Sequence, residues 1–225
     1  MDKIQTYIIN YNRLTFPLLM VDFLSKNPEL EIIFIDNSST YPPLLSWYES
    51  QNKFEVIKSH RNRGNCVFWR NRIIDRASIP FIVTDPDLDL SNVPLDFLDV
   101  LKEGLCRYPD KSKCGFGLEI DDFPDDKNDY QKRAVEIEKS LRGEFDGIYY
   151  YGKNAQIDTT FALYNKKSKQ NFLPAIRTGK PYVARHLPYY YTKDNITEED
   201  IYYVNSATKG CSSRAKLTYV LGIEF

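Results

Sequence analysis

Three carboxylates alternate at the end of an apolar, β-branched run, Pro80-Phe81-Ile82-Val83-Thr84-Asp85-Pro86-Asp87-Leu88-Asp89. Side chains alternate faces along a strand, so Asp85, Asp87 and Asp89 would share a face if extension continued past Thr84. Pro86 cannot donate to a sheet ladder, so the strand is expected to end there with the acids at its C-terminal mouth. Open α/β sheets bind ligands at that end. Hard carboxylate oxygens in such a place suit a divalent cation carrying a phosphate-bearing substrate. Plainer uses compete, because Asp and Asn fill turns and Ser91 or Asn92 could cap a following helix. An EF-hand loop is rejected: Leu90 stands where that loop needs Gly, Asp96 where it prefers Glu, and a strand-like run precedes it.

A second acid stands out in Gln156-Ile157-Asp158-Thr159-Thr160-Phe161-Ala162-Leu163-Tyr164, a run read as a strand with one charge. A carboxylate drawn into a core must be partnered, and burial raises its pKa. That suits Asp158 as a general base for a hydroxyl. Tyr149-Tyr150-Tyr151-Gly152 and Tyr189-Tyr190-Tyr191 offer stacking platforms for sugars, although interior packing accounts for most such rings. Lys209-Gly210-Cys211-Ser212-Ser213-Arg214 reads either as a basic lid over a diphosphate or as a frayed terminus.

The elements that must position these residues follow from periodicity. Ile4 to Asn10 reads as the first strand, and Thr15 can cap a helix over residues 16–26 with Pro17 in its first turn. Residues 31–36, 54–57 and the run ending at Asp85 read as further strands. Helices are expected at 42–51 and 65–76 between them. Strand and helix in regular alternation imply a parallel sheet with helices on its faces, and near-continuous apolar strands fit burial on both sides. The second half is less regular: helices at 93–108, 130–142 and 198–207, strands at 113–120 and 157–164, an acidic loop at 121–130 around Pro124, and an irregular aromatic stretch at 187–194. No linker or repeat is evident, so one domain of two parts, 1–107 and 108–225, is expected.

Composition sets the bounds. The chain has 225 residues, 42% apolar and 27% charged, with a formal net charge of -1. These are ordinary values for a soluble globular protein, and they give no pull towards nucleic acid or an acidic membrane. Four scattered cysteines, without a Cys-x-x-Cys pair, speak against structural zinc. Without a secretory leader or a window long enough to span a membrane, the simplest reading is a reduced, cytoplasmic protein of bacterial type. Contact with the inner face of the membrane stays open.

Four strand-end segments occur in order: Asn10-Tyr11-Asn12-Arg13, Ile35-Asp36-Asn37-Ser38-Ser39, Asn62-Arg63-Gly64 before a helix carrying Arg70-Asn71, and Asp85-Pro86-Asp87. Together they resemble the nucleotide-sugar half of GT-A glycosyltransferases, especially the large family-2 group, over about the first hundred residues. The resemblance implies an α/β GT-A fold: a mostly parallel central sheet with helices on both faces, and an irregular C-terminal part on the acceptor side. It implies a nucleotide-sugar donor, most simply a UDP-sugar, with Mn²⁺ or Mg²⁺, and a glycan or lipid-linked glycan acceptor.

By the same resemblance, Asn10, Asn12 and Arg13 line the nucleotide pocket largely with backbone. Asp36 accepts hydrogen bonds from base or ribose, where its plainer use is a turn cap. Arg63 and Arg70 reach the phosphates or shape the pocket. Asp87 binds the metal, while Asp85 contacts the ribose or a metal-bound water. His186, one of only two histidines, matches a C-terminal His that joins the acids on the metal, an imidazole more suited to Mn²⁺ than to Mg²⁺. His60 reads as structural or near the base. The general base is expected at Asp158, with Glu199 of Glu198-Glu199-Asp200 as second candidate; that run also reads as the first turn of a helix capped by Thr197.

Two other enzyme classes share features. Sugar-1-phosphate nucleotidyltransferases use a similar sheet but need a Gly-rich loop after the first strand, and residues 10–17 contain no glycine. A glycoside hydrolase needs two carboxylates flanking a bond. A non-catalytic sugar-nucleotide or glycan-binding module would keep the pocket without turnover.

Overall fold

The computed structural model describes residues 3–167, 173–208 and 211–222. Its first strand, β1 (Ile4–Asn10), shows how the chain builds its core. Ile4 and Ile8 enter one buried cluster, and Tyr7 and Ile9 enter another on the opposite face. This is the two-residue alternation of a strand covered on both sides. Helices α1 (Thr15–Leu24), α2 (Pro42–Ser50) and α4 (Phe97–Arg107) cover the first face with Met20, Leu24, Leu44, Tyr48, Phe97 and Leu101. The short α3 (Val67–Arg70) covers the other with Val67 and Phe68. The helix expected over 65–76 is broken into 3₁₀ turns at Gly64–Cys66 and Ile73–Asp75 around α3. Arg72 takes a left-handed conformation, φ 58°, which no helix continues through.

β2 (Leu30–Asp36), β3 (Glu55–Lys58) and β4 (Phe81–Thr84) join β1 in parallel, in the order β3-β2-β1-β4. The two-residue β5 (Leu88–Asp89) follows the acidic turn. The second half contributes β6 (Lys113–Leu118), helix α5 (Asp129–Ser140), β7 (Glu144–Phe145), β8 (Tyr149–Tyr151), β9 (Gln156–Ile157), β10 (Ala162–Tyr164), β11 (Leu173–Pro174) and β12 (Ile176–His186). β10 inserts antiparallel between β4 and β6, so one sheet runs across residue 107 and on through β12, β8 and β7. Gly115 allows this insertion: a Cβ there would sit 2.2 Å from the Phe161 carbonyl oxygen.

The strand expected over 157–164 is interrupted. Asp158–Phe161 form a turn between β9 and β10, and Asp158 lies in it. β12, which sequence reading left unassigned, carries a register shift between Thr178 and Val183, around Gly179 and Pro181. The chain ends in α6 (Glu198–Ser206) and α7 (Ser212–Leu221), the latter closed by Gly222 at φ 67°. Of the expected basic tail, Lys209 and Gly210 lie outside the described residues; from Ser212 on it is helix. None of the four cysteines forms a disulfide. Among the described residues no helix is long and apolar enough to cross a membrane.

Candidate active site

The C-terminal ends of β1, β2 and β4 open into a cleft of about 610 Å³, faced from across by the end of β12 and by α5, α6 and α7. Asp85, Asp87, Asp158, His186 and Lys216 all line it. The acids reach it because β4 stops at Thr84, and His186 because the end of β12 pairs with β5, His186 opposite Leu88. The Leu187 N–H donates to the Asp87 carbonyl at 2.9 Å, which fixes the two segments together. As a result His186 Nε2 stands 3.4 Å from Asp87 Oδ2.

Asp87 is held on one side only. Ser213 Oγ, from α7, donates to Oδ2 at 3.1 Å, whereas Oδ1 is buried without a hydrogen-bond partner. His186 Nδ1 is likewise buried and unpartnered, and its ring packs edge-on against Tyr189 at 4.8 Å. Burial alone would raise the Asp87 pKa, but His186, the Lys216 ammonium and the Ser213 hydroxyl together hold it well below the ordinary range. Asp85 shifts the other way. Burial, then the charges of Asp87 and Asp158, push it well up, against a 2.6 Å hydrogen bond from Thr159 Oγ1.

Lys216 is 3% exposed, with its ammonium 4.0 Å over the Tyr189 ring. Burial lowers its pKa to about 8 against the pull of Asp87. α7 is anchored by Leu217 packing with Tyr191 and Val204, and by Arg214 Nε donating to the Val204 carbonyl at 2.8 Å. Ser213 and Lys216, three residues apart, therefore share the helix face that meets the acids.

The Asp158 turn is tied to the acid motif. The Asp85 N–H donates to the Thr159 carbonyl at 2.9 Å, in addition to the Thr159 hydroxyl bond. Asp158 Oδ1 accepts from Thr160 N at 3.0 Å and Thr160 Oγ1 at 2.8 Å. Beneath the turn, the buried Lys113 ammonium donates to the carbonyls of Ile157 at 2.5 Å and Asp158 at 3.0 Å.

Other expected residues have structural partners. Asn10 is fully buried and donates to the Arg13 carbonyl at 2.8 Å and to Tyr48 Oη at 3.0 Å. Asn12, at φ 50°, accepts from the N–H groups of Thr40 and Tyr41 and donates to Ser206 Oγ at 2.8 Å. Arg13 reaches the cleft wall but is committed to a buried ion pair with Asp200, to Tyr191 Oη, and to the face of Tyr203 at 4.0 Å. Asp36 caps its own turn through Ser39 N at 3.1 Å, and β2 presents the neighbouring Asn37 to the cleft. Around Arg63 the residues lining the cleft are Asn62, Gly64 and Asn65; Arg63 N donates to Asn37 Oδ1 at 2.8 Å, and Arg70 is exposed at the end of α3.

Glu199 sits apart from the cleft lining. Its carboxylate accepts from Leu14 N at 2.9 Å, Thr15 N at 3.1 Å and Thr15 Oγ1 at 3.3 Å, so it caps α1, the task assigned by sequence to Thr15. Its helix begins with the capping box of Thr197 and Asp200.

Among the described residues no three His, Cys, Asp or Glu side chains are arranged to hold a metal ion by themselves. Asp87 Oδ1, buried without a partner, and His186 Nε2, 3.4 Å from the same carboxylate, offer an oxygen and a nitrogen donor of the kind a hard-to-borderline divalent cation takes, its remaining ligands coming from a diphosphate. Sequence reading missed Lys216, Thr159 and Lys113. Ser213 lay in the 209–214 stretch read as either a basic lid or a frayed terminus; the available signal for Lys216 was the helix face it shares with Ser213.

No family model matches the sequence, and no curated protein matches it. Solved structures do share its fold. TarS residues 1–349 from S. aureus is 12% identical over 97% of this chain and 70% of its own length, with a TM-score of 0.52. A longer S. aureus TarS structure is 11% identical over 97% and 42%, TM-score 0.51. The mannosyltransferase PcManGT from Pyrobaculum calidifontis, in complex with GDP-Man and Mn²⁺, is 14% identical over 72% and 44%, TM-score 0.47. The chain thus spans less than half the length of PcManGT and of the longer TarS. At such identities the likeness is one of fold alone, a mixed α/β architecture with a mostly parallel central sheet that this chain shares with TarS.

Proposed function

We propose that this chain is a metal-dependent glycosyltransferase. It moves a sugar from a nucleotide-sugar donor, most simply a UDP-sugar, to a hydroxyl of a glycan or lipid-linked glycan in bacterial surface polysaccharide or lipopolysaccharide assembly. One observation carries the reading: Asp87 and His186, each with a buried unpartnered atom, face each other at the strand mouth of a GT-A sheet, within a cleft that also holds Asp158 and Lys216.

Asp87 and His186 would hold a Mn²⁺-like ion, which when bound supplies Lewis-acid stabilisation of the leaving diphosphate. Lys216 brings a second positive charge to the same leaving group from α7, and Ser213 orients the Asp87 carboxylate. Asp158, fixed through Oδ1 by Thr160, accepts the proton of the attacking hydroxyl. Because Thr159 ties its turn to Asp85, the distance from base to donor is set by the fold.

The test is incubation with a panel of nucleotide sugars and Mn²⁺, with and without chelator, followed by assay of nucleoside diphosphate. Metal-dependent release that Asp87→Asn abolishes in a folded protein is the expected result. Pyrophosphate release would instead mark a nucleotidyltransferase. Binding of nucleotide sugars without release to water or any acceptor would mark a binding module.

A further inference from the structure

A second cavity, of about 360 Å³, lies behind the candidate active site. The two share a wall made of Leu118, Glu138 and Arg177. Glu138 Oε2 and Arg177 Nη2 form a buried pair at 2.5 Å, and Arg177 Nη1 donates to the Gln156 carbonyl at 2.7 Å, two residues before Asp158. The wall and the turn that bears the proposed base are therefore one hydrogen-bonded unit.

The far side of this cavity is aromatic. Phe145 stacks on Tyr150 with centroids 4.5 Å apart, and the Arg142 guanidinium lies 5.3 Å from the Tyr150 centroid. Phe145 is nevertheless 50% exposed. It lies against Gly179, where a Cβ would meet its ring at 2.9 Å, so the absence of a side chain there makes room for it. The polar lining is matched in charge. Lys180 Nζ bridges Glu119 at 3.2 Å and Asp121 at 3.0 Å, Arg177 answers Glu138, and Arg142 supplies the third positive charge against these three acids.

We infer that this cavity is the subsite for an uncharged glycan, holding a sugar of the acceptor beyond the one that reacts. The inference rests on the glycosyltransferase reading of the adjoining cleft. A pyranose presents an apolar C–H face rimmed by hydroxyls. An exposed aromatic ring beside a rim of charged hydrogen-bonding groups complements both parts. The internal pairing of those charges leaves no net field to attract a phosphate, which selects a neutral ligand over a nucleotide. The shared lining of Leu118, Glu138 and Arg177 places this cavity beside the cleft that holds Asp158.

Saturation-transfer NMR on the full chain, without donor, tests this with a panel of neutral hexose disaccharides: maltose, cellobiose, lactose and gentiobiose. At least one is expected to bind, Phe145→Ala to weaken it about tenfold, and Phe145→Trp to restore it. Inorganic phosphate is expected not to compete. Release of nucleoside diphosphate to water should be the same in all three proteins, and its absence in all three would fail the glycosyltransferase reading while leaving the sugar binding to be scored. Binding by none of the disaccharides, binding indifferent to Phe145→Ala, or competition by phosphate would each overturn the proposal.

Discussion

Glu199 is held as a structural carboxylate, and its replacement tests the proposed division of roles with Asp158. Its side chain leaves α6 to accept two backbone N–H groups and a hydroxyl at the first turn of α1, in a setting where Glu199 is 6% exposed. Replacement by Ala would strand two part-buried donors and remove a negative charge from a helix N-terminus. A lost cap costs about 1–2 kcal/mol and the lost helix-dipole interaction about 0.5–1 kcal/mol, together about 2–3 kcal/mol. For a chain of this size that lowers Tm by about 5–10 °C. Glu199→Gln keeps an acceptor oxygen and loses only the charge, so about 1 kcal/mol and about 2–4 °C are expected. Thermal unfolding by circular dichroism gives the Tm, and nucleoside diphosphate release at a temperature well below it gives turnover. Both variants should keep turnover within about threefold of the parent, whereas Asp158→Asn should lose about 10²–10⁴-fold with an unchanged Tm. Loss of turnover in Glu199→Gln at an unchanged Tm would refute the structural role and return the base assignment to Glu199.

Lys216→Met should lower kcat/KM about 10²-fold with Tm equal to or above the parent, since the amine is an electrostatic donor in a buried place; turnover near the parent value would remove Lys216 from the site. Arg13→Met breaks the buried pair with Asp200 and should cost about 3–5 kcal/mol in urea unfolding, and a rise in donor KM without destabilisation would instead assign Arg13 to the nucleotide. Burial lowers the Lys113 pKa to about 7. Between that value and the ordinary lysine value the unfolded chain binds more protons, so this group makes stability rise with pH there, by at most about 1.4 kcal/mol per unit, and adds no slope below about pH 7. Lys113→Met should abolish that rise when urea stabilities at about pH 7 and about pH 9 are compared, and an unchanged slope would show that Lys113 keeps its proton.

The strands of the first half were legible because each is apolar on both faces: Ile4–Asn10 was read to the residue, and the end of β4 at the acid motif followed from Pro86. The same argument put Asp85 and Asp87 at the mouth. Asp158 was misplaced in secondary structure because Ile157 and residues 161–164 are apolar on either side of a turn whose only markers are Thr159 and Thr160. β12 was missed because Gly179 and Pro181 interrupt its pattern, although the break is a register shift within one strand. α7 escaped notice because its buried face mixes Leu217 with Arg214 and Lys216, and a buried cation has no hydrophobic signature. Local use of the carboxylates was legible in part: the turn cap read for Asp36 is made by the Ser39 N–H, whereas the hold of Glu199 on the start of α1, a contact across the fold, left no sign in the sequence.

The charges of the cleft explain why its parts belong together. Arg13 is answered by Asp200 and Arg177 by Glu138, so neither pair leaves charge to spare. What remains facing the cavity is Asp85, Asp87 and Asp158 against Lys216 and His186. The opposite shifts of the two neighbouring acids record this imbalance: Asp87 takes the available positive partners and stays ionised, while Asp85, buried beside two other carboxylates, is driven towards its protonated form. With Asp85 protonated, two carboxylates stand against two bases, and no positive charge is left over for a diphosphate. Under the proposed function, further positive charge would enter beside Asp87, whose Oδ1 has no protein partner. The acid motif, the histidine at the end of β12 and the lysine of α7 come from distant parts of the chain, yet each is needed for that balance. Loss of α7 would therefore weaken donor binding through charge, even though the helix lies far in sequence from the strands that form the pocket.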